Sequence, residues 1–219
     1  MINRLLNTSS IVITLLVLCT QASAESFLVQ DQQGLPLKNT VLEFSVTNPA
    51  AAAVSTPNTL VMDQVDKLFK PGVLVIHQGD YVNFPNSDNI RHHVYSFSSV
   101  KPFELKLYSG KPKAPLQFDV AGVAVLGCNI HDSMIGYIYI ASSTQVLMTN
   151  EQGIARLADT VEYDSVNVWH ASSVTRLTNM SYDDLSKNKN NNGSLVINLV
   201  VDAPEPRNTF QSIFKKNGQ

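Results

Sequence analysis

Cysteine is almost absent from this chain of 219 residues. Only Cys19 and Cys128 occur, and Cys19 falls in an N-terminal stretch with the pattern of a leader. Without that stretch the chain has one thiol and no internal disulfide, although an oxidising compartment normally pairs its cysteines. A lone thiol in such a compartment is buried and inert, paired with another chain, or protected by a metal.

Excess charge of one sign and long apolar runs are also lacking. The chain has 16 basic and 18 acidic residues, and its first 24 residues contain only one of them, Arg4. A net charge near −3 favours neither nucleic acid nor an acidic membrane surface as a partner. Beyond the leader, no apolar run reaches the roughly eighteen residues of a membrane helix, so we expect no membrane span.

The leader, residues 1–24, resembles a cleaved secretory signal peptide. A basic start, the apolar run Ile11–Leu18 and the small residues Ala22-Ser23-Ala24 follow in that order. Its apolar core is too short to cross a membrane. We expect cleavage after residue 24 and a periplasmic location, with a lipid anchor at Cys19 as the disfavoured alternative.

Catalytic signatures are missing too. No G-x-S-x-G, H-E-x-x-H or phosphate-binding glycine loop occurs. Nucleophilic catalysis could pair Cys128 with His131, but that reading leaves Met134 unexplained. We therefore expect the protein not to be an enzyme.

Short β-strand patterns separated by turns run along the whole chain, and no long amphipathic helix interrupts them. The segment Phe103–Tyr108 alternates, so Phe103, Leu105 and Leu107 are expected on one face. A strand pair is predicted over residues 27–46, and single helical turns over 63–69 and 181–185. The predicted fold class is all-β, an antiparallel sandwich or barrel.

Four segments are predicted along the chain: the leader, a β segment and linker at 25–59, a strand-rich block at 60–142, and a C-terminal β segment and tail at 143–219. Asn48–Thr59 reads as the linker because its Pro, Ala, Ser and Thr residues carry no strand pattern.

The most informative motif is G-C-N-I-H-D-S-M, which holds Cys128, His131 and Met134 three residues apart. Thiolate and thioether ligands favour copper, and a type 1 copper site takes two imidazoles, one thiolate and a weak axial Met. The second imidazole would come from His92 or His93. Adjacent strand residues point to opposite faces, so only one of them reaches the metal.

Residues 60–141 resemble a cupredoxin, the family of plastocyanin and amicyanin. The resemblance is carried by the pattern F-x-P-G-x-x-x-x-x-x-G-D-x-V-x-F at Phe69–Phe84, by N-x-D at Asn86–Asp88, by H-x-V at His92–Val94 and by C-x-x-H-x-x-M. It implies a Greek-key sandwich that binds one copper ion in a type 1 site. Its ligands would be His92, Cys128, His131 and Met134, with His93 standing where the family usually has Asn.

Two further resemblances are narrower. The strings R-H-H-V-Y-S-F-S and G-C-N-I-H-D-x-M are similar to exported proteins labelled methylamine utilization proteins. Residues 26–47 and 143–202 resemble pieces of a transthyretin-like or carboxypeptidase-regulatory β-sandwich. The cupredoxin would then be an insertion in a second, small sandwich.

The function expected from these patterns is that of an exported blue copper protein, a periplasmic one-electron carrier with a redox partner protein. The alternatives are a periplasmic carrier that exchanges copper with a donor or acceptor protein, and a structural β-sandwich adaptor. His77 and His170 are expected to be ordinary structural histidines.

Overall fold

The computed structural model describes residues 24–47, 56–112, 114–158 and 161–202. Strands make up nearly all of the regular structure, so the predicted all-β class is confirmed. The predicted signal peptide up to residue 23, most of the predicted linker and the tail from 203 lie outside the described residues. None of the described helices has the length and apolar character needed to cross a bilayer.

The chain opens with β1 (Ala24–Asp31) and β2 (Val41–Val46), and then builds a first sandwich. Its strands are β3 (Thr59–Val61), β4 (Asp63–Val65), β5 (Leu68–Lys70), β6 (Val73–His77), β7 (Tyr81–Asn83), β8 (His92–Ser96), β9 (Phe103–Tyr108), β10 (Leu116–Gln117), β11 (Gly122–Cys128) and β12 (His131–Ala141). One sheet has the order β6-β12-β11-β8-β9 and the other β10-β7-β3, with β4–β5 as a separate hairpin. Alternate residues of both sheets share one apolar core.

A second sandwich follows and takes in the first two strands. It adds β13 (Val146–Met148), β14 (Ile154–Ala158), β15 (Tyr163–Trp169), β16 (Thr178–Ser181), α1 (Tyr182–Ser186) and β17 (Leu195–Leu199). The sheets β14-β1-β17 and β13-β2-β15-β16 enclose a separate core, in which the rings of Phe27, Phe44 and Tyr163 lie 4.9–6.2 Å apart. The chain thus leaves this sandwich after β2 and returns to it at β13.

The prediction that the two strands within residues 27–46 pair with each other is wrong, although both strands exist. Strand β1 pairs with β14 and β17, whereas β2 pairs with β13 and β15 in the opposite sheet. Each of these two strands therefore has a neighbour on both sides, and their alternate residues face each other across the core.

The helical turn predicted over 63–69 is also wrong, because this stretch forms the β4–β5 hairpin. Asp66 and Lys67 have φ angles of 57° and 60°, and a turn with two positive φ angles matches the twist of paired strands. Asp88 accepts hydrogen bonds from both backbone N–H groups, at 2.7 and 3.0 Å. The helical turn predicted at 181–185 is confirmed as α1.

The predicted alternation of β9 breaks at a bulge. Leu105 pairs with Val94, but Tyr108 rather than Leu107 lies opposite His92, so β9 has one extra residue there. Leu107 is consequently 53% exposed. Tyr108 turns inward, and its hydroxyl donates to the Phe84 carbonyl at 2.7 Å.

The two sandwiches meet in a small apolar cluster of buried residues, Val41, Val73, Tyr139, Ala141 and Trp169. Beside it lies the buried carboxylate of Glu43, which accepts hydrogen bonds from the Tyr139 hydroxyl and from Ser142 and Ser143 at 2.7–2.9 Å. Burial, and then the Glu43 contact, raise the pKa of Tyr139 far above its usual value of 10. Tyr139 therefore keeps its proton and remains the donor in this junction.

Candidate metal centre

Three side chains with metal-binding atoms converge at one end of the first sandwich. The ligand atoms of His92, Cys128 and His131 all lie within 4.8 Å of one another. Cys128 Sγ is 3.5 Å from His92 Nδ1 and 4.0 Å from His131 Nδ1. The Cys128 sulfur thus faces the Nδ1 atom of His92 and the Nδ1 atom of His131.

Strand pairing explains this convergence. Cys128, the last residue of β11, pairs with Val94 of β8 on one side and with His131 of β12 on the other. Gly127 still pairs with Ile135, so the β11–β12 register jumps between Gly127 and Cys128 and leaves residues 132–134 without partners. This jump brings His131 directly opposite Cys128.

A close approach at Gly127 also shapes the site. A Cβ atom added there would lie 2.6 Å from the ring carbon Cζ of Tyr95 on the neighbouring β8. Any larger residue would therefore push the Tyr95 ring away from the strand that ends in Cys128.

The imidazole of His92 contacts Asp88 on the side of the ring that faces away from Cys128. Its Nε2 lies 2.7 Å from Asp88 Oδ2, and the same carboxylate accepts the N–H groups of Asp66 and Lys67. Burial opposes ionisation of Asp88, but the hydrogen bonds from His92, Lys67 and Asp66 together hold its pKa below the usual 3.8. An ionised Asp88 makes His92 Nε2 the donor, which leaves the Nδ1 lone pair facing Cys128.

His131 is the more open of the two imidazoles. His92 is fully buried and Cys128 is 3% exposed, whereas His131 is partly exposed. Burial of the ring and the nearby His92 and Lys67 lower the pKa of His131 below 6.5 despite Asp88. The neutral ring has a lone pair available for a metal.

His93 points away from this group. Its Nε2 lies 2.8 Å from Glu104 Oε1, without the angle of a hydrogen bond, and its ring packs edge-on against Tyr95. The backbone of His93 still contributes, because its carbonyl accepts the Asn129 N–H at 3.2 Å. The side chains of His92 and His93 therefore occupy opposite faces of β8.

Met134 lies in β12, three residues after His131. Its side chain is fully buried in the apolar cluster that also contains Cys128. Met134 thus belongs to the same apolar core as Cys128.

The donor chemistry of this group fits copper. A thiolate and two imidazoles with a nearby thioether are the ligands of blue copper sites. Asp88, the carboxylate that contacts His92, has its oxygens engaged by His92 and by the β4–β5 turn. The ligand atoms of His92, Cys128 and His131 are nitrogen and sulfur, which a hard, oxygen-preferring ion such as magnesium binds poorly.

Two residues beside the site were missed from the sequence. Asp88 appeared only as part of the N-x-D motif, and that motif, close to the candidate histidines, was the signal available for it. The alternation predicted for residues 103–108 placed Tyr108 on the face opposite Phe103, Leu105 and Leu107. Burial raises its pKa to about 12, and its hydroxyl also accepts from Gln64 Nε2 at 2.5 Å.

No protein-family model matches the chain, and no curated protein matches it. Several solved structures do. A pseudoazurin from Sinorhizobium covers 40% of this chain and 76% of its own, at 20% identity and a TM-score of 0.31. Amicyanin, as a mutant in its reduced Cu(I) form, covers 45% of this chain and 97% of its own, at 24% identity and a TM-score of 0.33.

A Cu-containing nitrite reductase from Thermus scotoductus is also similar. It covers 52% of this chain but only 28% of its own length, at 24% identity and a TM-score of 0.37. These three solved structures match only part of this chain, at low identity and low TM-scores.

Proposed function

We propose that the protein binds one copper ion in a type 1 site and carries single electrons, and that its ligands are His92, Cys128, His131 and Met134. The observation that carries this proposal is the buried Cys128 sulfur facing two imidazole Nδ1 atoms. Copper in such a site supplies a one-electron couple.

Each residue has a separate task in this proposal. Cys128 supplies the thiolate, and His92 is fixed in one tautomer by Asp88. His131 is partly exposed and stands next to Ile130, which is 47% exposed. A protein partner could pack on this apolar surface beside a ligand ring, which is the arrangement that an electron carrier needs.

We also propose that the protein is exported through its N-terminal leader and works in the periplasm, with a redox protein as its partner and no reaction of its own. The likeness to proteins labelled methylamine utilization proteins rests on association, so we propose no role in methylamine oxidation. The runner-up is copper delivery, which would use the same ligands.

Voltammetry with a parallel copper-loss assay tests the proposal. Protein loaded with Cu(II) should bind one equivalent, become intensely coloured, and keep its copper through repeated redox cycles. Zn²⁺-loaded protein is the colourless control. Irreversible voltammetry with rapid copper loss to a chelator would favour delivery instead, and a colourless protein fully loaded with Cu(II) would refute both the site type and its role.

Met134→Leu should keep the copper and the colour but raise the reduction potential. A weak axial donor stabilises Cu(II) more than Cu(I), and each tenfold preferential loss of Cu(II) affinity raises a one-electron potential by about 59 mV. Voltammetry measures the shift. The matched control is Met148→Leu in β13, where the side chain is 41% exposed. Complete loss of copper from Met134→Leu would show that Met134 has another role.

Asp88→Asn should weaken copper binding about tenfold, at the lower end of the loss typical of such supporting residues. The amide still accepts a hydrogen bond from His92 but no longer carries the charge that fixes its tautomer. Competition with a Cu(I) chelator of known affinity measures the change. Asp119→Asn removes the same charge from an exposed position and should leave the affinity unchanged. Equal affinities in all three proteins would contradict the role of Asp88.

A further inference from the structure

A cleft of about 700 Å³ lies beside the junction of the two sandwiches. Val123 of β11 and Tyr137 of β12 line it from the first sandwich, and Asn167 and Trp169 of β15 line it from the second. Arg176, an exposed residue in the segment between β15 and β16, also lines it. This volume falls within the range of roughly 300–1,000 Å³ that small-molecule sites occupy.

One wall of the cleft is aromatic. The ring centroids of Tyr137 and Trp169 lie 5.4 Å apart at an angle of 60°, and the Tyr139 ring, which also lines the cleft, lies 6.0 Å from that of Trp169. Trp169 is 5% exposed and Tyr137 more so, which leaves Tyr137 as the ring most open to the cleft. A flat apolar molecule could pack against this wall.

The polar groups of the cleft divide into engaged and free ones. Glu43 has four hydrogen bonds to its carboxylate, and Asn167 Oδ1 accepts from Asn179 at 2.8 Å. The guanidinium of Arg176 makes no ion pair and no hydrogen bond with any other described residue, and neither does the Tyr137 hydroxyl. The lining therefore offers a cation and a hydroxyl donor, while its one buried anion is already satisfied.

We propose that this cleft binds a small aromatic carboxylate, with its ring against Tyr137 and Trp169 and its carboxylate on Arg176. Arg is suited to this role because its planar fork matches a carboxylate. This site is separate from the proposed copper centre, since none of the four proposed ligands lines the cleft. Binding should therefore be the same in the Cys128→Ser variant.

The chain offers a built-in probe, because Trp169 is its single tryptophan. Benzoate titrated into the full copper-free chain should change the Trp169 emission saturably, with a dissociation constant of about 1 mM or below for so small a ligand. Neutral benzamide should bind about fivefold more weakly, because one charge-assisted hydrogen-bonded contact is lost. A linear, non-saturating decrease in emission would be collisional quenching and would overturn the proposal.

Two variants test the polar contacts of the site. Arg176→Gln should weaken benzoate binding about fivefold and leave benzamide unchanged, whereas Tyr137→Phe should keep the ring and weaken benzoate only about twofold. The matched control is Arg156→Gln, an exposed arginine of β14 that does not line the cleft. Equal benzoate affinity in Arg176→Gln and Arg156→Gln would refute the assignment of Arg176, even if the copper centre behaves as proposed.

Discussion

Cys128→Ser is expected to abolish the visible colour of the copper-loaded protein completely. The absorption of a blue site comes from charge transfer between thiolate and copper, and a serine hydroxyl has no such transition and is a poor ligand for copper. The two side chains are nearly the same size. Because Cys128 is 3% exposed, the hydroxyl should cost only about 1–2 kcal/mol of stability.

Visible absorption and far-ultraviolet circular dichroism measure the two effects separately. The dichroism should still report an all-β protein when the colour is gone. Ala124→Ser, which places the same hydroxyl at another buried position of β11, is the matched control and should keep the full colour. A coloured Cys128→Ser protein would show that the colour does not come from the Cys128 thiolate and would contradict the proposed centre.

The fold class could be predicted because strand alternation is a local property of the sequence. The pairing of β1 could not. Its neighbours, β14 and β17, lie on the far side of the whole first sandwich in sequence, and no turn residue encodes such a contact. The strand pair was predicted from the D-Q-Q-G sequence at Asp31–Gly34, and such a turn signal indicates pairing only between the two strands that flank it.

The short spacing of Cys128, His131 and Met134 predicted part of the ligand group. The contacts that hold the group in place, however, come from other strands of the fold. Asp88 reaches His92 within the same segment, yet the carboxylate is fixed by the Asp66–Lys67 turn, which was mistaken for a helix. The β9 bulge turns Tyr108 inward, and no Gly or Pro within β9 indicates a bulge in the sequence. Both features depend on strands that meet only in the folded protein.

We propose that residues 60–142 form a copper domain inserted into a second domain built from the flanking segments at 25–59 and 143–219. In the described part of the chain each sandwich has its own apolar core, and the chain passes from one to the other after β2 and before β13. The Glu43 contacts and the aromatic cluster around Trp169 then hold the domains together, and the proposed cleft depends on that junction.

His92→Ala and His93→Ala should give opposite results, although the two residues are neighbours. His92 is fully buried with Nδ1 3.5 Å from the Cys128 sulfur, whereas the His93 side chain is 16% exposed and faces Glu104. We expect His92→Ala to lose the blue band. His93→Ala should stay coloured with a perturbed spectrum and lose about 1 kcal/mol of stability, since it removes a largely buried ring outside the ligand group.

Visible spectra of both copper-loaded variants measure this difference, and added imidazole separates loss of a ligand from loss of the fold. Imidazole entering the space left in His92→Ala should restore a visible band, because the other proposed ligands stay in place. Added imidazole should leave the visible spectrum of His93→Ala unchanged. The reverse pattern, with His93→Ala colourless and His92→Ala blue, would make His93 the ligand and require β8 to pair one residue out of the observed register, since successive side chains of a strand alternate between its two faces.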